Sequence, residues 1–494
     1  MSRSSQRAVL GVLLLLAAAL GAWRCSGSSG RYNLLVVLVD TLRADHLGCQ
    51  GYGRETSRTI DALAREGVVF EEAFSAVPWT PASTATLLTG LEPFRHGFVR
   101  PEVAPLSQDA ITLAEILGAR GYSTAGFSGN LLISDLSGFD QGFETFKTVT
   151  WGKAPALNAL AIPWLRAKAK AGRFFLYMHY FDPHDPYDDP AGNWRTFAGL
   201  APDAPPNEPA PIANGDIEVP FVALREGRDP GLGPDELRRL IDRYDGEIRF
   251  VDSEIAKLLA EVKALGLEDE TIVVFTSDHG EQFLEHGGLK HGSSLHREEL
   301  HVPLVFKIPG RAGAPERRPD IVGLVDVVPT LLAALGVEPP VELDGVDLFG
   351  PPPVKDRLVF SETSHGWATV NGKREEGKEL LAGRTVDGRV AMIGPPGDPR
   401  FPRGYGERAE KEIVDVAERR PDWYPEFIDR ILGWRKTSAE RVLPNRPMSP
   451  EDFKRLRDGL EALGYLKKAK PLQPPEGEHD DSTPSPNGTK KGGE

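Results

Sequence analysis

Two aspartates and a histidine come just after short aliphatic runs of the chain and could together bind a divalent cation. Asp40 follows the run at 34–39, and the pair Asp278 and His279 follows a second run at 271–276. Carboxylate oxygens and imidazole nitrogens are common ligands of such ions. Ligands of open α/β sheets bind beyond the carboxyl ends of strands, so we expect these residues to converge. The alternative is that each aspartate only caps the turn or helix that follows it.

The histidines of the chain are concentrated in one stretch. Seven of the eleven lie between positions 179 and 301, namely His179, His184, His279, His286, His291, His296 and His301. His184 stands in a loop between two prolines, which would hold its imidazole in place for proton transfer. His291 follows a lysine, where a cation could meet an anionic substrate. A lone histidine is more often an ordinary surface or core residue, which we expect for His286, His296 and His301.

Thr80, followed by Pro81, has two interpretations. The pair is typical of the N-cap and first position of a helix, which is a sufficient structural reason for both residues. A hydroxyl at a helix N-terminus also lies in the positive end of the helix dipole, where a nucleophilic oxygen is stabilised and an anionic ester would bind. Position alone favours the cap.

The elements that must position these residues alternate between strand and helix. The aliphatic run at 34–39 is typical of a strand buried on both faces. Further strands are predicted at 68–74, 122–127, 174–178 and 271–276, with helices at 59–66, from 81, at 111–120 and at 234–265. This alternation predicts an α/β fold, a doubly wound and mainly parallel sheet flanked by helices. Residues 190–233 show no period and are predicted to form a surface excursion.

Both ends of the chain differ in composition from its middle. After Arg3 and Arg7, the apolar run of sixteen residues at 8–23 is short for a membrane span of about 20 residues. We therefore assign 1–29 to an export signal, or alternatively to a membrane anchor or a lipid anchor on Cys25, and expect an extracytoplasmic protein of the periplasm or cell envelope. Beyond 350 the alternation stops, so 30–350 is predicted to be the catalytic domain and 351–466 a smaller C-terminal α+β subdomain. The tail 467–494 is almost without apolar residues and is predicted to be disordered.

The charge balance excludes one class of partner. The chain has 58 Lys and Arg against 72 Asp and Glu, a formal net charge of −14. Proteins that bind nucleic acid need a concentrated positive field, so we expect no nucleic-acid partner. Any membrane attachment would run through the N-terminus.

Five longer blocks of the chain carry a resemblance to a known family. They are D-T-L-R-A-D-H-L-G-C from Asp40, I-D-A-L-A-R-E-G-V-V-F from Ile60, W-T-P-A-S-T-A-T-L-L-T-G-L-E-P-F-R-H-G from Trp79, S-D-H-G-E from Ser277, and H-G-S-S-L-H-R-E-E-L-H-V-P-L-V-F-K-I-P-G from His291. In this order they resemble the sulfatase family of the alkaline phosphatase superfamily. Shorter similarities at 321–337 and 343–348 extend the resemblance over roughly residues 32–350. It implies an alkaline phosphatase-like fold.

The resemblance also implies roles for individual residues. The metal ligands of the family match Asp40, Asp278 and His279. Its nucleophile matches Thr80, which would also bind the metal. The histidine that serves the leaving group matches His184, and a cationic contact to the transferring group matches His291. Arg43 and the helix N-terminus could add positive charge beside that group. One divalent metal ion is expected, with Mn, Mg, Ca and Zn all open.

Two departures from the family pattern affect the chemistry. Sulfatases carry Cys or Ser in a C/S-x-P-x-R motif that is converted to formylglycine, whereas residues 80–84 here read T-P-A-S-T. A second aspartate usually follows the first, and here that position is Thr41. A threonine would form an ordinary sulfo- or phospho-threonine, and relatives with a threonine nucleophile are mainly phosphodiesterases and phospho-group transferases.

The sequence therefore predicts an exported, metal-dependent sulfatase-family hydrolase that cleaves a phosphoric or sulfuric ester of a small molecule, glycan or lipid through Thr80. One alternative is a transferase that moves a phospho-group to an acceptor in the cell envelope. Another is a catalytically inactive binding protein, which the two departures favour and the retained site residues disfavour.

Overall fold

The computed structural model describes residues 32–98, 104–201, 217–311, 315–351, 357–370, 373–394, 403–405, 422–444 and 448–462. The chain divides into two compact units, one up to Pro447 and one from Met448. The predicted export signal at 1–29, with Cys25, and the predicted tail at 467–494 lie outside the described residues. None of the described helices is both long and apolar enough to cross a bilayer.

The strands form a large mixed sheet and two smaller ones. In chain order they are β1 (Asn33–Val39), β2 (Val68–Phe74), β3 (Ser123–Ser128), β4 (Thr145–Thr148), β5 (Phe174–Tyr180), β6 (Thr271–Ser277), β7 (Gln282–Phe283), β8 (Leu289–Lys290), β9 (Leu304–Lys307), β10 (Glu316–Gly323), β11 (Val359–Val370), β12 (Lys373–Arg384), β13 (Val390–Ile393) and β14 (Arg403–Tyr405). The large sheet has eight strands in the order β10-β2-β9-β6-β1-β5-β3-β4. Only β9 runs antiparallel to its neighbours β2 and β6. The predicted doubly wound, mainly parallel sheet is confirmed.

The central strand β1 explains why the sheet is buried on both faces. Alternate side chains of a strand point to opposite faces. Leu34, Val36 and Leu38 pack into one hydrophobic core, and the odd-numbered residues between them pack into the other. Because both faces of β1 need an apolar cover, its sequence is a continuous aliphatic run.

The described residues also form twelve helices, several of which pack on these two faces. They are α1 (Arg58–Glu66), α2 (Thr80–Thr89), α3 (Pro93–His96), α4 (Leu113–Gly118), α5 (Ala154–Lys168), α6 (Trp194–Phe197), α7 (Glu218–Arg225), α8 (Pro234–Ala264), α9 (Arg297–Leu300), α10 (Val327–Ala334), α11 (Tyr424–Ala439) and α12 (Pro450–Ala462). Short 3₁₀ turns lie at Ala44–His46, Gly48–Gln50, Asp135–Ser137, Glu268–Glu270 and Leu324–Asp326. The stretch 190–233, predicted to be a surface excursion, contains the two short helices α6 and α7. The apolar residues Pro220 and Ala223 of α7 are buried in a stretch too short to show a period.

A second sheet follows the first in the chain. It is antiparallel, with the order β11-β12-β13-β14. Phe427 and Ile431 of α11 pack against it, in one cluster with Leu381 of β12 and Ala391 of β13. The predicted small C-terminal α+β subdomain is therefore present, while the predicted boundaries between domains stay predictions. Helix α12 lies in the second compact unit.

Candidate active site

Three adjacent parallel strands end at the same edge of the large sheet and bring three potential ligands together. Strand β1 lies between β5 and β6, and its register pairs Val39 with Tyr180 of β5 and with Ser277 of β6. Asp40 and Asp278 are the next residues after β1 and β6, and His179 is the penultimate residue of β5. The predicted meeting of Asp40 and Asp278, which are far apart in the sequence, follows from this register.

Asp40, His179 and Asp278 form a group suited to a metal ion. One ligand atom from each lies within 4.8 Å of those of the other two, and all three side chains are fully buried. Nδ1 of His179 and Oδ2 of Asp278 have no hydrogen-bond partner among the described residues, whereas Nε2 of His179 lies 3.3 Å from Oδ2 of Asp40. Buried polar atoms without partners are costly, and a bound cation would satisfy them. The residues therefore fit the metal ion that the sequence predicts.

The electrostatics of the two carboxylates point to the same conclusion. Burial would raise the pKa of Asp40, but the nearby imidazoles, His179 first, hold that pKa well below its usual range. Burial and the charge of Asp40 raise the pKa of Asp278 to about 7. Two carboxylates at such a short distance cannot both ionise cheaply without a cation between them.

Thr80 lies beside this group. Its hydroxyl is 3.1 Å from Nε2 of His279 and 3.4 Å from Oδ1 of Asp40. Nδ1 of His279 lies 2.9 Å from the carbonyl oxygen of Gly280, which can only accept a hydrogen bond, so Nδ1 carries the proton. Burial lowers the pKa of His279 to about 4. The ring is then neutral near pH 7 and presents the lone pair of Nε2 to the Thr80 hydroxyl.

The helix-cap interpretation of Thr80 was wrong. Trp79 is the N-cap of α2, and its carbonyl oxygen accepts the first helical hydrogen bond from the backbone N–H of Ser83. The N-cap side chain makes no hydrogen bond to the helix. Thr80 is the first helical residue, and Pro81 follows it in the first turn. The Thr80 hydroxyl is directed instead to His279 and Asp40. Both residues are far from Thr80 in the sequence, so no local pattern predicts these contacts.

The two further histidines line the same region. The ring of His291 is 4.3 Å from that of His279 and 5.2 Å from that of His184. Nδ1 of His184 lies 2.8 Å from the carbonyl oxygen of Asp185, and its ring stacks on Phe181. Burial, together with the charge of His184, lowers the pKa of His291 to about 3. The ring is therefore neutral near pH 7, and its predicted contact with the transferring group stays a prediction.

Arg43 does not join this group. Its guanidinium donates to both oxygens of Asp45, to a carboxylate oxygen of Glu285 and to the carbonyl oxygen of Glu281. Two neighbouring carboxylates largely neutralise the positive charge of the guanidinium. These contacts therefore do not support the predicted role of Arg43 beside the transferring group. The cause is local, because Asp45 stands only two residues after Arg43.

The sequence did not predict that two neighbours of Asp40 are site residues. His179 was counted among the clustered histidines, but the predicted strand ended one residue before it, which hid its place beside Asp40. The amide of Asn130 donates to Oδ2 of Asp40 at 2.8 Å. No motif marks Asn130, so sequence alone offered no signal for it.

The two departures from the family pattern are buried beside the same group. Thr41 has φ 54, a conformation uncommon for a threonine. Its backbone N–H donates to Oδ1 of Asp278 at 3.1 Å. The hydroxyls of Thr41 and Thr84 are buried, and that of Thr41 has no hydrogen-bond partner in the part of the chain that the structure describes.

Comparison with known proteins places this site in context. The profile of the sulfatase family matches residues 32–337. An arylsulfatase of Clostridium perfringens is 25% identical over 380 residues, which cover 64% of this chain and 77% of that protein. The multifunctional alkaline phosphatase superfamily protein PehA of Trinickia caryophylli is 28% identical over 404 residues, covering 64% and 76%. The crystal structure of the phosphonate monoester hydrolase of Agrobacterium radiobacter aligns with a TM-score of 0.64 over 83% of this chain and 96% of its own, at 21% identity. That likeness confirms the predicted fold class.

Proposed function

The chain belongs to the sulfatase family and is an ester hydrolase of that family, and we propose that it is exported, depends on a metal ion and uses Thr80 as its nucleophile. The observation that carries the proposal is the Thr80 hydroxyl, which lies within hydrogen-bond reach of Asp40 and His279 beside the metal-binding group. The substrate is a phosphoric or sulfuric ester of a small molecule, a glycan or a lipid. Residues 1–29, with their basic and apolar composition, support export and leave attachment to a membrane open.

Sulfatase-family enzymes use a metal ion, and five side chains of this chain would hold one here. They are Asp40, Thr80, His179, Asp278 and His279. A divalent ion, when bound, polarises the ester and lowers the pKa of a hydroxyl group bound to it. Two imidazoles among the donors favour Zn or Mn over Mg and Ca, which prefer an all-oxygen shell.

The protein groups divide the reaction into two steps. In the first, Oγ1 of Thr80 forms a bond to phosphorus or sulfur while the bond to the alcohol oxygen breaks. The hydroxyl proton has an acceptor within reach in Oδ1 of Asp40, because Nε2 of His279, as a metal ligand, has no second lone pair. In the second step, water attacks the threonine ester and releases the inorganic acid and free Thr80.

His184 serves the leaving group in this scheme. Its Nδ1 lies 2.8 Å from the carbonyl oxygen of Asp185, to which it donates, and the proposal assigns Nε2 to the alcohol. The imidazolium form donates a proton from Nε2 to the departing oxygen, and the neutral ring then accepts a proton from the attacking water. Such proton transfer contributes about 10²–10⁴-fold to the rate.

A substrate panel tests the proposal. Purified protein is assayed with aryl sulfates, phosphate monoesters, phosphate diesters and phosphonate esters, each with Mn, Mg, Ca and Zn. We expect metal-dependent turnover of at least one class, with free acid as the product. The absence of turnover with every pair would favour the inactive binding protein.

A phospho-group transferase remains the second candidate, because a threonine at the nucleophile position suits either acceptor. Thr80 gives a simple ester, which an acceptor alcohol can attack as readily as water does. Product analysis with and without an added alcohol separates the two. Transfer to the alcohol in preference to water would favour the transferase.

A further inference from the structure

Two loops carry the histidines that face the substrate. The His184 loop comprises residues 182–189, and the His291 loop comprises residues 287–293. The two rings lie 5.2 Å apart. One buried carboxylate, that of Glu281, contacts both loops. Its Oε1 is 3.0 Å from Nδ1 of His291, and its Oε2 accepts a hydrogen bond from the Tyr187 hydroxyl at 3.0 Å.

Two hydrogen bonds fix the backbone of Glu281. Its N–H donates to the carbonyl oxygen of Glu298 at 3.0 Å, and its own carbonyl oxygen accepts from Arg43 at 3.1 Å. The preceding residue, Gly280, lies so close to the backbone of Glu298 that a Cβ atom on residue 280 would be 2.1 Å from the carbonyl oxygen of Glu298. A glycine is therefore required, and the Glu281 carboxyl starts from a fixed point.

The contact with Glu281 decides which nitrogen of His291 is available. The two ring nitrogens lie on different edges of an imidazole, so a ring held at Nδ1 presents Nε2 on the edge away from Glu281. The His279 ring lies 4.3 Å from that of His291, on the side of the metal-binding group. Burial raises the pKa of the Glu281 carboxyl to about 8, with the charge of Asp185 adding to the effect. The contact orients the His291 ring whether Glu281 is protonated or ionised, because either the Glu281 carboxyl group or Nδ1 of His291 can supply the proton of the hydrogen bond.

A second link between the two loops is separate from the first. Nζ of Lys290 lies 3.0 Å from Oδ2 of Asp185 and 2.8 Å from Oε2 of Glu218. Lys290 fixes how far apart the loops are, but it does not touch the His291 ring through any of these atoms. Orientation of the His291 ring therefore depends on Glu281.

We propose that Glu281 is a positioning residue, which orients His291 relative to His184 and Thr80 so that Nε2 of His291 meets the transferring group. The proposal deepens the proposed function and rests on it. Among the described residues, the carboxyl group of Glu281 makes its hydrogen bonds with His291 and Tyr187, and it would act through these two residues. Carboxylates that orient a functional histidine typically contribute 10–100-fold to activity.

The test compares Glu281→Ala with Glu281→Gln. The alanine variant leaves Nδ1 of His291 without its partner, so kcat should fall by about 100-fold with metal content unchanged. The glutamine amide can still bond Nδ1, so kcat should recover to within about tenfold of the natural protein. Glu254→Ala is the matched control, since Glu254 is another buried carboxylate, whose partners are the amide of Asn158 and the ammonium group of Lys257. That variant should lower the melting temperature and leave kcat unchanged.

Three kinetic results would overturn the positioning role. They are a Glu281→Ala variant with kcat near that of the natural protein, a Glu281→Gln variant as damaged as the alanine variant, and an equal loss of kcat in the Glu254→Ala control. The first would show that the ring needs no partner. The second would make charge the important property, and the third would reduce the effect to a loss of stability.

A spectroscopic readout keeps this test independent of the proposed function. The protein is labelled with ¹⁵N-histidine, and the His291 signals are assigned by their loss in a His291→Asn variant. We expect the Nδ1 and Nε2 shifts of His291 to move toward a tautomer average in Glu281→Ala and to return in Glu281→Gln. Unchanged shifts would overturn the proposal even if no substrate is found, whereas an inactive protein with the expected shifts would overturn only the proposed hydrolase.

Discussion

The sharpest prediction concerns the Thr80 hydroxyl, which Thr80→Ala removes and Thr80→Ser keeps. Because Trp79 and not Thr80 caps α2, neither variant loses a helix cap. The Thr80 hydroxyl has one hydrogen to donate, and two acceptors lie within its reach, Nε2 of His279 at 3.1 Å and Oδ1 of Asp40 at 3.4 Å. The alanine variant therefore loses about one hydrogen bond, which contributes about 0.5–1.5 kcal/mol in net stability.

Both variants also lose the buried methyl group of Thr80, which is worth about 1 kcal/mol. We therefore expect Thr80→Ala to cost about 2 kcal/mol and Thr80→Ser about 1 kcal/mol of unfolding free energy. A protein of ordinary stability remains folded after either loss. Their melting temperatures should differ from that of the natural protein by only a few degrees.

Activity should respond on a different scale. Removing a nucleophile typically lowers kcat by about 10⁴–10⁶-fold, so Thr80→Ala should be almost inactive on the best panel substrate. Thr80→Ser should retain measurable turnover, because the serine hydroxyl occupies the same place. The assay is kcat on folded protein of measured metal content, with mass spectrometry of acid-quenched samples to detect an ester on residue 80.

One outcome would remove Thr80 from the mechanism. It is a folded, metal-loaded Thr80→Ala variant whose kcat is close to that of the natural protein. The hydroxyl would then be only a polar neighbour of His279, and the attacking group would have to be water.

The other predictions concern the metal, one ion pair, pH and the tail. His179→Ala should lower the bound metal per chain, measured by elemental analysis on folded protein; full metal content would exclude His179 as a ligand. Arg43→Met should destabilise the fold by about 1–3 kcal/mol in chemical denaturation and leave KM unchanged, and a raised KM would restore its predicted role toward the substrate. Burial raises the pKa of Glu92 to about 8 and that of Glu362 well above its usual value, so each binds its proton more tightly in the folded state. Stability should therefore fall between about pH 5 and pH 9, and Glu92→Gln with Glu362→Gln should flatten this melting-temperature profile. Deleting 467–494 should change neither kcat nor melting temperature, and a clear loss of either would show that the tail packs on the protein.

Local patterns predicted the parts of this fold that local physics determines. The strand at 34–39 could be recognised because a run buried on both faces must be aliphatic at every position. Strand β9 could not, since its antiparallel pairing with β2 and β6 depends on segments far away in the chain. Thr80 shows the same limit within the site. Its sequence neighbours favour a helix cap, and only the tertiary contacts with Asp40 and His279 show where the hydroxyl is directed.

The substitutions at Thr41 and Thr84 argue that this site has been remodelled rather than lost. Compared with the family pattern, Thr41 has a hydroxyl where the pattern has a carboxylate, and Thr84 has a hydroxyl where the pattern has a guanidinium. Losing both together leaves the net charge of the buried site unchanged, whereas losing one would leave an unpaired buried charge. The imidazole of His179 supplies a ligand without adding charge. A site that served only to fill the core would favour apolar side chains here, because buried hydroxyls without partners are costly. The hydroxyl of Thr41 is buried in this way among the described residues, and that of Thr84 interacts with the Tyr177 hydroxyl.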